Sequence, residues 1–135
     1  MAILGKLGNY KNTGLLFMRV GLGVMMMIHG YPKIMGGPDL WTKIGGAIGN
    51  VGIHFAPMFW GFMATITEAV GGLLIVLGFF TRPVCIFLLI NLTVAALQHF
   101  SKGDGINGAS HAIELCFAFL GLLFLGAGKY SIDKK

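Results

Sequence analysis

Charge is scarce in this sequence. Asp, Glu, Lys and Arg make up 11% of the 135 residues, against about 25% in an ordinary soluble domain, while 56% are hydrophobic. With a mean hydropathy of +0.80, a chain of this size fits one domain over residues 1–135 and an integral membrane protein rather than a soluble one. Acids are scarcer still, five against ten Lys and Arg, for a net charge of +5. A basic balance can serve nucleic acid, but here the cations are scattered and mostly flank apolar runs. That pattern sets membrane topology and forms no phosphate-binding patch, so no nucleic-acid partner is expected. Cysteine is nearly missing too, with only Cys85 and Cys116 and no CxxC spacing. At about 1.5 Å per helical residue the two fall at depths differing by more than the roughly 7 Å a disulfide spans, so both are read as buried thiols. There is no haem CxxCH, no dinucleotide-binding loop and no HxxxH or HxH pair, so no bound metal is expected. The first apolar run carries no small-residue cleavage site and others follow it, which argues against a signal peptide.

What the chain has is four apolar runs, at about 13–30, 58–80, 84–100 and 111–126. Each is about the length that a roughly 30 Å hydrocarbon core requires. The fold class is therefore all-α, an integral membrane four-helix bundle. Pro32, just after Gly30, is expected to end the first helix. In the glycine-rich stretch 31–57, Leu40, Trp41, Ile44, Ile48 and Val51 recur near helical spacing, which predicts a short interfacial or re-entrant helix with Trp41 in the aromatic belt. Thr81-Arg82-Pro83 leaves room only for an antiparallel hairpin between the second and third spans. Lys6, Lys11, Arg82, Lys129, Lys134 and Lys135 fall on one side and Lys33, Lys43 and Lys102 on the other. By the positive-inside rule both termini are cytoplasmic and the protein is multi-pass in the cell inner membrane.

The second span holds a lone acid near its middle, Glu68. An ionisable group at such depth costs roughly 2.5–3.5 kcal/mol on insertion scales and is a functional candidate by default. Counting depth from the topology puts His29, His99, His111 and Glu114 near the outer boundary, with Asn91 central in the third span and His54 in the outer loop. Helical side chains tilt toward the helix N-terminus, so His29 and His99 lean inward while Glu68 and Glu114 lean outward. These groups are expected to converge on a pocket around Glu68, lined by His29, His99, His111, Glu114 and Asn91. Arg19 leans the other way, toward Asp133 or the lipid headgroups. The pocket has several competing readings: polar residues fixing helix register, a metal site, a proton-coupled quinone or small-molecule site, or a path for a small solute. Met25, Met26 and Met27 point around a helix rather than along one face, so they read as adaptable packing and not a copper ladder.

Several blocks in order resemble the DoxX family of membrane proteins. They are Arg19 with Gly23, then His29-Gly30-Tyr31-Pro32-Lys33, the run from Glu68 through Gly71, Gly72 and Gly78 to Thr81-Arg82-Pro83, and the closing Gly126-Ala127-Gly128-Lys129-Tyr130-Ser131-Ile132-Asp133. The resemblance implies a small four-helix membrane bundle. The family takes its name from a membrane subunit of a thiosulfate:quinone oxidoreductase, so it also implies a quinone-linked or redox-associated subunit, with the electron-carrying partner on another chain. In that reading Glu68 is the catalytic, proton-handling residue and quinone the candidate cofactor. Ser131 and Asp133 would hold Arg82 or Arg19 as a structural latch at the inner face. The alternatives are a transporter of a small solute or ion, and a non-catalytic assembly or anchoring subunit. Glycine-rich helix faces leave a homodimer open.

Overall fold

The computed structural model describes residues 2–134, with side chains from residue 3. Among these residues there are helices and no strands. A short helix α1 (Ala2–Gly5) and a 3-10 turn (Lys6–Tyr10) lead into the long α2 (Lys11–Met35). Then come α3 (Gly37–Gly45), a second 3-10 turn (Gly46–Val51), α4 (Pro57–Leu77), α5 (Thr81–Ser101) and α6 (Gly105–Leu125). Four helices are long and apolar enough to cross a membrane: the stretch Ile3–Met35, α4, α5 and α6. The short helix expected between the first two spans is α3.

One boundary differs in a way that matters. The first span does not stop before Pro32; α2 carries the proline inside its last turns and ends at Met35. The chain turns at Gly37, whose φ of +81° suits a residue without a Cβ. Pro32 forfeits one rung of the ladder, the bond its missing N–H would make to the Ile28 carbonyl, and packing of the last turns outweighs that loss. Lys33 is thereby moved from a loop onto the helix.

The core runs along the middle of the bundle through Met26, Ile75, Leu88, Phe119 and Leu122, while Phe17, Phe87, Phe117 and Phe124 face outward. Helix α2 lies on α4 and α5 on α6, with α4 and α5 joining the two pairs; no Cα of α2 comes within 8 Å of one in α6. The α2–α4 approach depends on Gly30, where a Cβ would sit 2.5 Å from the Ala69 nitrogen. Helix α3 crosses α4 as closely. A Cβ on Gly61 would fall 1.6 Å from the Trp41 carbonyl oxygen, so only glycine fits there.

At the end carrying both termini, polar groups close the helix ends. Helix termini leave amides and carbonyls without intrahelical partners, and burial makes each one costly. Asp133 accepts from the backbone N–H of Phe80 (3.0 Å) and of Thr81 (2.9 Å), capping α5. The tail amides of Ile132 and Asp133 donate to the Leu77 and Gly78 carbonyls. Arg82 donates to the Leu123 and Phe124 carbonyls at the end of α6. Arg19 is fully buried and does not reach lipid headgroups. Its guanidinium donates to the carbonyls of Ile75 (3.3 Å), Val76 (3.0 Å) and Tyr130, placing a cation at the negative C-terminal end of α4. Burial raises the Asp133 carboxyl, but the Thr81 and Phe80 amides and the Arg19 charge together outweigh it and hold it below its ordinary value.

Candidate functional site

Glu68 is buried on α4, and its partner is a lysine. The Lys33 ammonium lies 2.8 Å from Oε2 and 3.0 Å from Oε1, and Asn91 Nδ2 donates to Oε1 at 3.1 Å. Three helices thus meet at one carboxylate: α2 through Lys33, α4 through Glu68 and α5 through Asn91. Antiparallel packing explains the meeting. Side chains lean toward their own helix N-terminus, so Lys33 on α2 reaches down the bundle while Glu68 on α4 reaches up. The close approach at Gly30 brings the two within range. The Glu68 side chain is 11% exposed and that of Lys33 37%, so the pair is sealed on the carboxylate side and open on the ammonium side.

Helix α3 packs against the start of α4 and the turn that carries Lys33. Trp41 is half-buried; its indole N–H donates to the Lys33 carbonyl at 3.0 Å, and its ring meets Phe62 edge-on at 4.9 Å. It is thus engaged with the bundle, on the helix turn that carries the lysine. An apolar groove of about 150 Å³ runs between α4 and α5, lined by Ile66, Thr67, Val70, Gly71, Leu74, Val84 and Phe87; Glu68, Lys33 and Asn91 are not part of its lining. By helical spacing Val84 and Phe87 share one stripe of α5 with Asn91.

The other residues expected around Glu68 are divided among separate groups at the α3 end of the bundle. His29 and His111 face each other, with ring centroids 5.4 Å apart, across the seam between α2 and α6. His99 Nδ1 lies 2.8 Å from Asp104 in the α5–α6 turn. Glu114 is exposed and has no hydrogen bond or ion pair among the described residues. His54 is exposed, with its ring beside Gly49. Among the described residues no three His, Cys, Asp or Glu side chains are grouped to hold a metal ion. Cys85 and Cys116 are free thiols, Cys85 buried as expected and Cys116 only half-buried. Asn91 does meet Glu68, while His29, His99, His111 and Glu114 make no hydrogen bond to it. Lys33 is the residue that the sequence reading missed, counted only as a loop charge. One signal could have found it: it lies four residues after His29, hence on the same helical face.

Chemically, the cluster is a charge-neutral ammonium–carboxylate pair with an amide donor on one oxygen. It can donate hydrogen bonds from Lys33 and Asn91, and it can hold or pass a proton at Glu68.

The DoxX family description matches residues 14–100 of this chain. An uncharacterised protein of Haemophilus influenzae is 30% identical, covering 98% of this chain and 97% of its own length. The inner membrane protein YphA of Escherichia coli is also 30% identical, over 90% of this chain and 89% of its own. The inner membrane protein YqjF of the same species is 30% identical as well, over 92% of each chain. No solved structure matches. The family match ends at residue 100, whereas the matches to these relatives cover 90% or more of the chain. With four membrane-length helices, closely approaching glycines and the ordered blocks all in place, the chain belongs to the DoxX family of membrane proteins.

Proposed function

We propose that this protein is a quinone-linked, redox-associated subunit of the cell inner membrane, with Glu68 as its proton-handling residue. The observation that carries the reading is the buried Glu68 carboxylate held by Lys33 and Asn91 where three helices meet. Ionisable groups at such depth pair with one another and mark ligand or proton paths. Both termini are taken as cytoplasmic, which places the cluster in the outer half of the bilayer. A bound quinone would supply the exchange of electrons with a partner chain. The residues here fit that ligand: Asn91 and Lys33 present donors for ring oxygens, Glu68 sits beside them, and the α4–α5 groove has the apolar lining that a hydrocarbon chain needs. Trp41 braces the helix turn that carries Lys33.

The test is to purify the wild type and Glu68→Gln in lipid nanodiscs from quinone-containing membranes and to extract the organic phase. Near-stoichiometric quinone in the wild type, lost in a Glu68→Gln protein that keeps its helical content, supports the reading. A wild type that carries none overturns it.

One observation favours a second reading, a non-catalytic assembly subunit. Both carboxylate oxygens of Glu68 already have partners within the chain, so the cluster is complete as an interhelical tie. In that case a soluble partner co-purifies equally well with wild type and Glu68→Gln.

A further inference from the structure

The α2–α6 side of the bundle carries ionisable groups that the chain itself leaves uncovered. Helix α6 has 21 residues, a rise of about 31 Å, which matches the hydrocarbon thickness of about 30 Å. Glu114 stands nine residues from its start, about 13 Å in, exposed and without a hydrogen bond or ion pair among the described residues. One turn earlier on α6, His111 is also exposed and meets the equally exposed His29 of α2. A carboxyl and two imidazoles are therefore open within the membrane-length stretches of α2 and α6, where such groups ordinarily face protein or a water-filled cavity.

We infer that this seam is covered by a second copy of the same chain, in a two-fold dimer with Glu114 of each copy pairing with His29 or His111 of the other. Charge decides the partner, because one face presents both an acceptor and donors and so complements itself, as a two-fold interface requires. Depth agrees. A two-fold axis along the membrane normal keeps every residue at its own level, so only groups at equal depth can meet. His29 stands six residues from the end of α2, about 9 Å in, and its side chain leans deeper. Glu114 leans back toward the surface, so the two arrive at about one level. Further down, Gly21 on α2 and Gly121 on α6 are both exposed, with nothing within 4 Å of where a Cβ would stand. They lie at similar depth, about 21 and 24 Å from the α3 end, and would let the two copies approach closely.

The test uses the full chain with Cys85→Ala, Cys116→Ala and Lys102→Cys, the last labelled with donor or acceptor fluorophore, in lipid vesicles over a series of dilutions. Energy transfer should fall along a monomer–dimer curve. Glu114→Gln should raise the dissociation constant about threefold or more. Gly121→Leu, which fills open space on the same face, should abolish the transfer while leaving the melting temperature of the monomer unchanged. Transfer at the random-collision level at every dilution overturns the inference, and so does a dimer indifferent to both substitutions. Fast modification of Glu114→Cys, made without the Lys102 label, by a membrane-impermeant thiol reagent also overturns it, because the seam would then be a water-filled cleft.

Discussion

Replacing Lys33 by methionine leaves the Glu68 carboxylate buried with the Asn91 amide as its one remaining partner. Removing one member of a fully buried ion pair costs about 3–5 kcal/mol, since the remaining charge has lost its compensation. Here the Lys33 side chain is 37% exposed, so water already screens part of the attraction. About 2 kcal/mol is the corresponding expectation. Glu68→Gln should cost less, about 1 kcal/mol, because a long lysine freed of its partner can extend toward the interface. A side chain 11% exposed on α4 has no such escape. The double variant should then be no worse than Glu68→Gln alone, giving a coupling of about 2 kcal/mol. Reversible unfolding in mixed micelles would measure this, followed by helical ellipticity and tryptophan fluorescence. In a Trp60→Phe background fluorescence reports locally, because Trp41 is bonded to the Lys33 carbonyl. Equal costs for the two single variants, or additive costs in the double, would refute the asymmetry and with it the idea that Glu68 depends on Lys33.

Two further predictions follow from the packing. Gly61→Ala places a methyl within 1.6 Å of the Trp41 carbonyl oxygen, so α3 must lift from α4. The same micelle titration should show a loss of about 1–3 kcal/mol, and exposure of Trp41 should shift its emission to the red. Asp133→Ala removes the cap of α5 and should cost about 0.5–2 kcal/mol at neutral pH. Since the Asp133 carboxyl is held below its ordinary value, its contribution is fully present above the unfolded value of about 3.9 and is lost as pH falls through the lower folded value. The gap between wild type and Asp133→Ala should therefore stay constant from pH 8 to about 5 and close in strong acid. A gap that widens with acid would contradict this.

The helical bundle was legible because its causes are local. Runs of apolar residues of membrane length, and the periodic Leu40, Trp41 and Ile44, speak for helices whatever they pack against. Glu68 was legible because a lone acid in such a run stands out by cost alone. What it binds was not. The tilt of helical side chains predicted that His29, His99, Glu68 and Glu114 converge, but the rule gives direction along the helix and not rotation around it. His99 and Glu114 point elsewhere for that reason: His99 meets Asp104, and Glu114 faces out of the bundle. Lys33 was hidden by the proline before it, whose helix-breaking tendency is a local preference that tertiary packing overrode.

At the opposite end, a similar division holds for Arg19. Sequence could say that a buried arginine needs acceptors and that it leans toward the termini. Only the fold shows that these acceptors are backbone carbonyls of α4 and the tail, brought together from positions far apart in the chain. Composition and periodicity determined that this protein is four membrane-length helices with a costly acid near the middle of one, because hydrophobic length and desolvation act residue by residue. The tertiary structure decided that the acid pairs with Lys33, because partner choice depends on helix rotation and on glycine-sized approaches that no single segment contains.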